Sequence, residues 1–374
     1  MVDDLVPATE VGGEADGRAL ALAIERGAAI ARGRVSVRRP QLTMGERFLS
    51  FTAVGRRIVQ SKVRPQVENG QAANYPAPRR ALAVVCDGLG RPFADALQQE
   101  ARALAELLVS PESKSLVHVY LRSEEAKRRW SSARDDVQSV SVGVIGGGTM
   151  GAGIASSLLA SSVPVSLVDL DDGARERATE HVKESLSKSF RGDEARIQQA
   201  LGRFEVGASV EIARGCQLVV EAIVEKLEVK KKLFQRLADI TSPDTILASN
   251  TSSLPISEIA AGISGPQRVI GMHFFNPVER MPLVEVVRSQ QSDIRSIAMT
   301  AALAVRLGKY PVVVEEVPGF LVNRILSPYL VEAAWLLSEG YTVREIDRAA
   351  TSFGMPMGPL RLLDEVGLDV AGHV

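Results

Sequence analysis

A short apolar run, Val140-Ser141-Val142-Gly143-Val144-Ile145, enters Gly146-Gly147-Gly148-Thr149-Met150-Gly151 directly and continues into a helix-like stretch from Ala152. A G-x-G-x-x-G spacing between a strand and a helix permits few folds, because each glycine meets a separate backbone demand. Gly146 permits the tight turn, Gly148 lets the main chain approach a pyrophosphate, and Gly151 allows close packing of helix on strand. The helix N-terminus adds N–H donors and the positive end of its dipole. The next expected strand ends at Asp169, 18 residues past Gly151, where a carboxylate can accept from adenine ribose hydroxyls. Asp171 and Asp172 follow, with no Arg directly after Asp169 to neutralise it. That charge would repel a 2′-phosphate, so NAD is the expected cofactor. The alternative for Asp169 is a plain helix N-cap.

The remaining periodicity extends this unit in both directions. The 374 residues suggest about two or three domains. Residues 17–32, 44–63, 80–88, 93–110 and 113–129 carry apolar positions at helical spacing, interrupted at Asn69-Gly70 and at a turn expected over Tyr75-Pro76-Ala77-Pro78. A polar stretch at 131–138 reads as a linker. Beyond it strands are expected at 140–145, 164–169, 218–221, 245–248, 269–273, 283–287 and 310–314, mostly with helices between them. Such alternation implies an α/β domain of Rossmann type with a largely parallel sheet. After Pro318-Gly319 the pattern turns helical again, over 320–338, 343–353 and 359–366. The expected domains are therefore a helical region over 1–136, a Rossmann domain over 137–317, and a helical C-terminal domain beginning at 318 and cut short at 374.

Composition excludes some functions. With 45% hydrophobic and 24% charged residues and no apolar run of the required length, no membrane span is expected, since one needs about 18 consecutive apolar residues. A net charge of −1 gives no electrostatic footprint for nucleic acid. Residues 31–80 are locally basic, with 11 Lys or Arg against Glu46 and Glu68. They read as a solvated helical face, or as a surface attracting an acidic partner or the phosphates of a nucleotide-bearing substrate. The acidic start Met1-Val2-Asp3-Asp4 is unlike a secretory signal, and two cysteines, Cys86 and Cys216, make no disulfide framework. A cytoplasmic location is expected. No metal site is expected.

Four segments of the second half carry the chemistry: Val220-Glu221-Ala222-Ile223-Val224-Glu225, Ser249-Asn250-Thr251-Ser252-Ser253-Leu254, His273-Phe274-Phe275-Asn276-Pro277 and Pro318-Gly319-Phe320-Leu321-Val322-Asn323-Arg324. Their order and spacing resemble the 3-hydroxyacyl-CoA dehydrogenase family, and the similarity runs through Met357-Gly358-Pro359 to Asp369. Oxidising a secondary alcohol requires a base for the hydroxyl proton while the cofactor takes the hydride. His273 is the candidate, because an imidazole titrates near neutrality, and the alternative for it is a hydrogen-bonded core side chain. Glu285 lies 12 positions on, and a turn at Pro277-Val278-Glu279-Arg280 would bring the two side by side. In the family such a glutamate pairs with the histidine. The resemblance further implies that Ser252 and Asn323 hydrogen-bond the substrate 3-oxygen and nearby groups. It puts Glu225, Lys230, Asn250 and Asn276 near cofactor or CoA, and has Met150, Ile223 and Val224 line the dinucleotide. Lys230 also stands in a Lys230-Lys231-Lys232 run that reads equally as a solvated charge cluster.

The first 130 residues hold no catalytic motif of their own. Leu5-Val6, Asn74-Tyr75-Pro76-Ala77 and Glu100-Ala101-Arg102 resemble the helical tail of the enoyl-CoA hydratase part in fused fatty-acid oxidation α-subunits. The oxyanion-hole glycines and paired glutamates of a hydratase do not occur in this stretch, so hydratase activity is not expected. The resemblance implies (3S)-3-hydroxyacyl-CoA oxidation in fatty-acid β-oxidation, an acyl-CoA substrate, a thiolase partner subunit and a homo-oligomer. The competing expectation is a fragment impaired in catalysis that binds NAD or CoA, or serves as a scaffold, because both ends are short.

Overall fold

The computed structural model describes residues 42–130, 133 and 137–367. The helix expected over 17–32, the Leu5-Val6 pair and residues 368–369 of the last motif lie outside the described residues. The chain divides into two compact units between Ser110 and Pro111.

The described residues of the first unit are helical. Helices α1 (Met44–Phe51) and α2 (Ala53–Glu68) replace the single helix expected over 44–63. Thr52 breaks it by turning extended and using its hydroxyl to accept from Gly55 N at 2.9 Å, which caps α2. The Tyr75-Pro76-Ala77-Pro78 segment is likewise not a terminating turn. Pro76 opens α3 (Pro76–Gly88) at its first position, where a missing N–H costs nothing. Helix α4 (Phe93–Leu108) follows, and Arg80 of α3 pairs with Glu106 of α4 at 2.6 Å.

The second unit opens with α5 (Pro111–Arg128) and holds one eight-stranded sheet. Its strands are β1 (Val142–Ile145), β2 (Val165–Val168), β3 (Phe204–Gly207), β4 (Leu218–Glu221), β5 (Ile246–Ser249), β6 (Val269–Phe274), β7 (Leu283–Arg288) and β8 (Tyr310–Glu315). The order is β3-β2-β1-β4-β5-β6-β7-β8. All neighbours run parallel except β6 and β7, which are antiparallel. The largely parallel sheet is as expected; β3 is the strand the sequence reading lacks.

Helices α6 (Thr149–Ala160), α7 (Asp172–Ser189), α8 (Glu194–Leu201), α9 (Leu227–Ile240), α10 (Ile256–Ile259) and α11 (Ile294–Arg306) fill the connections. Alternate strand residues separate into two cores, one on each face. Val142, Val144, Val220, Ala248, Met272 and Val286 pack with α6 and α11, while Ile145, Val219, Leu247, Val269 and Val287 pack with α9 and α10. Both faces are covered, hence the near-continuous apolar strands. Val137 and Val140, inside the expected linker and at its edge, are core residues. Helices α12 (Val322–Ser338), α13 (Val343–Phe353) and α14 (Pro359–Val366) form the last part. No helix among the described residues is long and apolar enough to cross a membrane.

The strand order reverses between β1 and β4, so the loops after these strands diverge and open a crevice at their carboxyl ends. There Gly151 is packed so closely that a Cβ would collide with the carbonyl oxygen of Gly146. Overpacking of this kind costs about 1–3 kcal/mol. Gly151→Ala is therefore expected to lower the urea unfolding midpoint by a matching amount; an unchanged midpoint would show that α6 moves along β1 freely.

Candidate active site

The glycine turn after β1 is shaped as its sequence requires. Gly146 has φ +112°, and a Cβ there would stand 2.5 Å from Ala222 O, so the loops after β1 and β4 touch through backbone. Gly148 caps α6 without a side-chain acceptor for the first-turn amides, and a Cβ on it would meet nothing within 4 Å. Neither packing nor φ demands a glycine at 148. Close approach of a phosphate to free helix amides does explain it.

Asp169, just beyond β2, closes this turn from the side. Its Oδ2 accepts from Gly147 N at 2.7 Å and its Oδ1 from Asp171 N at 2.9 Å. The N-cap of α7 is Asp171, whose Oδ1 accepts from Ala174 N at 2.6 Å, so the plain-cap alternative for Asp169 falls away. Arg175 donates to Asp169 O at 2.6 Å and pairs with Asp172. It is thus engaged rather than free for a 2′-phosphate. Met150 is half-buried against the core beneath the turn. After β4, Ile223 packs against the other core and Val224 is exposed.

The hairpin of β6 and β7 brings the acid–base pair together. Register places His273 opposite Glu285, on one face of the sheet. His273 Nδ1 lies 2.7 Å from Glu285 Oε2, and both side chains are buried. A carboxylate there accepts from Nδ1–H, which leaves Nε2 with the lone pair of a neutral base. Phe275 and Phe320 flank the imidazole, with ring centroids 4.6 and 5.8 Å away. Phe320 has φ +47°, a conformation costly for an aromatic residue unless its surroundings impose it. Its ring, 2% exposed, is locked in the core.

The other oxygen of Glu285 reaches the helical part. Oε1 accepts from Leu321 N at 3.0 Å and Val322 N at 2.9 Å, at the start of α12. In the first turn of α12 stands Asn323, whose Nδ2 lies 3.4 Å from Ser252 O. Ser252 and Asn323 are therefore neighbours, as the sequence reading requires. Asn250 secures the adjoining strand ends, its Oδ1 accepting from Phe274 N at 2.9 Å. Asn276 is exposed just beyond β6.

Lys230 is not part of a solvated run. It is 1% exposed and sits between Glu221 Oε1 at 2.6 Å and Glu225 Oε2 at 3.1 Å, while Lys232 is exposed. Glu225 Oε1 in turn accepts from Thr251 Oγ1 at 2.5 Å and Ser252 N at 2.9 Å. Glu221 and Phe320 are site-forming residues that the sequence reading quotes but does not single out. Glu221 had a signal: an acid ending an otherwise apolar strand needs a buried cation, and Lys230 lies nine positions on.

A glycine turn between strand and helix, an acid that closes it and a buried histidine–glutamate pair are features that an NAD-dependent dehydrogenase requires. The family model for the 3-hydroxyacyl-CoA dehydrogenase NAD-binding domain matches residues 141–317, and that for its C-terminal domain matches 319–374. The chain is 36% identical over 379 aligned residues to the fatty acid oxidation complex subunit alpha of Shewanella amazonensis, covering 100% of this chain and 52% of that protein. It therefore spans about half the length of the curated relatives it matches. Among solved structures, (S)-3-hydroxybutyryl-CoA dehydrogenase from Ralstonia eutropha is 39% identical with a TM-score of 0.60, over 63% of this chain and 85% of that one. The 3-hydroxybutyryl-CoA dehydrogenase of Escherichia coli has the same identity and TM-score, over 63% of this chain and 51% of that one. The chain belongs to the 3-hydroxyacyl-CoA dehydrogenase family, and its cofactor is NAD.

Burial pushes the Glu285 carboxyl upward, but the His273 hydrogen bond, the Val322 amide, the His273 charge and the Leu321 amide outweigh it and hold the group below its ordinary 4.5. A depressed native value means that the folded state favours the ionised form. Its stabilisation is then complete above about pH 4.5 and is lost as pH falls through the native value. The difference in urea midpoint between the wild type and Glu285→Gln is expected to be full at about pH 7 and to shrink below about pH 4.5. A difference independent of pH would show that the charge of Glu285 is not what stabilises the fold.

Proposed function

We propose that the chain catalyses NAD-dependent oxidation of (3S)-3-hydroxyacyl-CoA to 3-oxoacyl-CoA in fatty-acid β-oxidation. The observation that carries this reading is the buried His273–Glu285 pair, 2.7 Å apart, beside the Ser252–Asn323 contact at the crevice of an NAD-binding fold. His273 takes the hydroxyl proton through Nε2, and Glu285 fixes the ring tautomer and stabilises the imidazolium that forms. Ser252 and Asn323 hydrogen-bond the substrate 3-oxygen and hold C3 in place. Gly148 lets the pyrophosphate approach the turn that Gly146 and Gly151 make possible, and Asp169 receives the adenine ribose. Met150, Ile223 and Val224 line the dinucleotide, and Glu225, Lys230, Asn250 and Asn276 shape the adjoining wall. The glycine turn and Asp169 would hold NAD, which would supply the hydride acceptor.

The domain limits 1–136, 137–317 and 318–374 belong to this reading. So do a thiolase subunit as partner and a second copy of the chain; the complex-subunit names of the relatives support a partner subunit of some kind. The exposed apolar residues Ile325, Trp335 and Phe353 of the helical part are consistent with such interfaces. A cytoplasmic setting is supported by two cysteines that are both free.

The test is NADH oxidation by the purified chain with acetoacetyl-CoA. Turnover is expected, and His273→Ala should lower it by about 10²–10⁴ while NADH still binds. An intact chain that binds NADH but does not turn over would instead support the reading of a catalytically impaired NAD- or CoA-binding scaffold.

A further inference from the structure

Glu221 ends β4 at 0% exposure, and nothing in the acid–base chemistry of the His273 pair uses it. A carboxylate buried to this degree needs full compensation. Its Oε1 accepts from Lys230 Nζ at 2.6 Å and Ile223 N at 2.8 Å, and its Oε2 from Ser249 Oγ at 2.6 Å. Every contact leads to a segment that borders the crevice. Ile223 stands in the loop after β4, Ser249 ends β5, and Lys230 lies in the first turns of α9.

Lys230 carries the connection outward. Its ammonium also meets Glu225 Oε2 at 3.1 Å. Glu225 Oε1 gathers Thr251 Oγ1 at 2.5 Å, Ser252 N at 2.9 Å and Ser252 Oγ at 3.4 Å. Burial raises the Glu225 carboxyl, but Lys230, Thr251 and Ser252 together hold it below the ordinary carboxylate value. The chain of contacts thus runs from the centre of the sheet, through one cation and a second carboxylate, to the hydroxyl read above as a substrate ligand.

We propose that Glu221 is a positioning residue that fixes Ser252 through Lys230 and Glu225. The inference rests on the reading of Ser252 as a substrate-binding residue. Lys230 has four carbons of side-chain freedom, and Glu221, immobilised by two further donors, leaves its ammonium one place to stand. Glu225 is exposed at its outer edge, so without Lys230 it would have no fixed position from which to hold the turn at Thr251 and Ser252.

Two variants test this. Glu221→Gln keeps the shape but removes the charge. The pair Glu221→Gln with Lys230→Met removes both buried charges at once, which spares the fold a lone buried ion. In both, the Ser252 amide is expected to exchange with solvent about tenfold faster. The kcat with acetoacetyl-CoA and NADH should fall about 10- to 100-fold, and in Glu221→Gln, which leaves Lys230 in place, the NADH dissociation constant should stay within about threefold. In a Ser252→Ala background, Glu221→Gln should add no further loss, since residues acting through one contact are not additive.

Wild-type exchange and kcat in the double variant, or losses that multiply in the Ser252→Ala background, would overturn the proposal while leaving the dehydrogenase reading intact. A Ser252→Ala enzyme that turns over at the wild-type rate would remove the role of Ser252 itself, and the proposal with it.

Discussion

The carboxylate of Glu285 is the point on which the site depends. One oxygen sets the tautomer of His273 and the other receives the first amides of α12. That helix has no side-chain cap of its own, so a group on β7, far upstream in sequence, does the work that a local Ser or Asp usually does. Three elements meet at a single side chain. Strand β6 supplies the base, β7 supplies the carboxylate, and α12 brings Asn323 against Ser252. Orientation of the base and seating of the helix are therefore not separable, since any shift of α12 changes the acceptor that holds His273.

This dependence explains the strained turn that precedes α12. Pro318-Gly319-Phe320 must carry the chain from β8 onto the carboxylate, and it does so with Gly319 at φ +71° and Phe320 at φ +47°. The first is natural for glycine. The second persists because the Phe320 ring is enclosed in the core and packs edge-on to His273. Burial of the ring thereby offsets the backbone strain of order 1–3 kcal/mol and adds an apolar wall to the base.

Much of this was legible in the sequence, for identifiable reasons. The strands read well because burial on both faces leaves them uniformly apolar, and the glycine turn read well because its spacing answers backbone geometry alone. Two adjacent strand candidates and a short turn made a pairing of His273 with Glu285 possible, but it was the family resemblance that implied it. Less local features were not readable. Strand β3, Phe204-Glu205-Val206-Gly207, is a half-buried edge with a charge in its middle, and its short pattern offers little periodicity. The break at Thr52 depends on a hydroxyl competing with the helix for a backbone amide. Lys230 was singled out by the resemblance but read equally as one of three solvated lysines, and the closing of β4 against α9 is what buries it between two carboxylates.

The acids of the site also share a means of compensation that sequence cannot display. Glu285, Glu221 and Asp169 each accept from main-chain N–H groups: Leu321 and Val322, Ile223, and Gly147 with Asp171. A carboxylate held by a flexible cation follows that cation, whereas one held by peptide groups is fixed to the backbone that positions them. Charge-assisted bonds of this kind are short and strong in a dry interior. They convert the rigidity of the sheet and helix ends into fixed side-chain positions at the crevice. Preorganisation in this site thus comes chiefly from where the chain turns, and the carboxylates transmit it to the groups read as acting on the substrate.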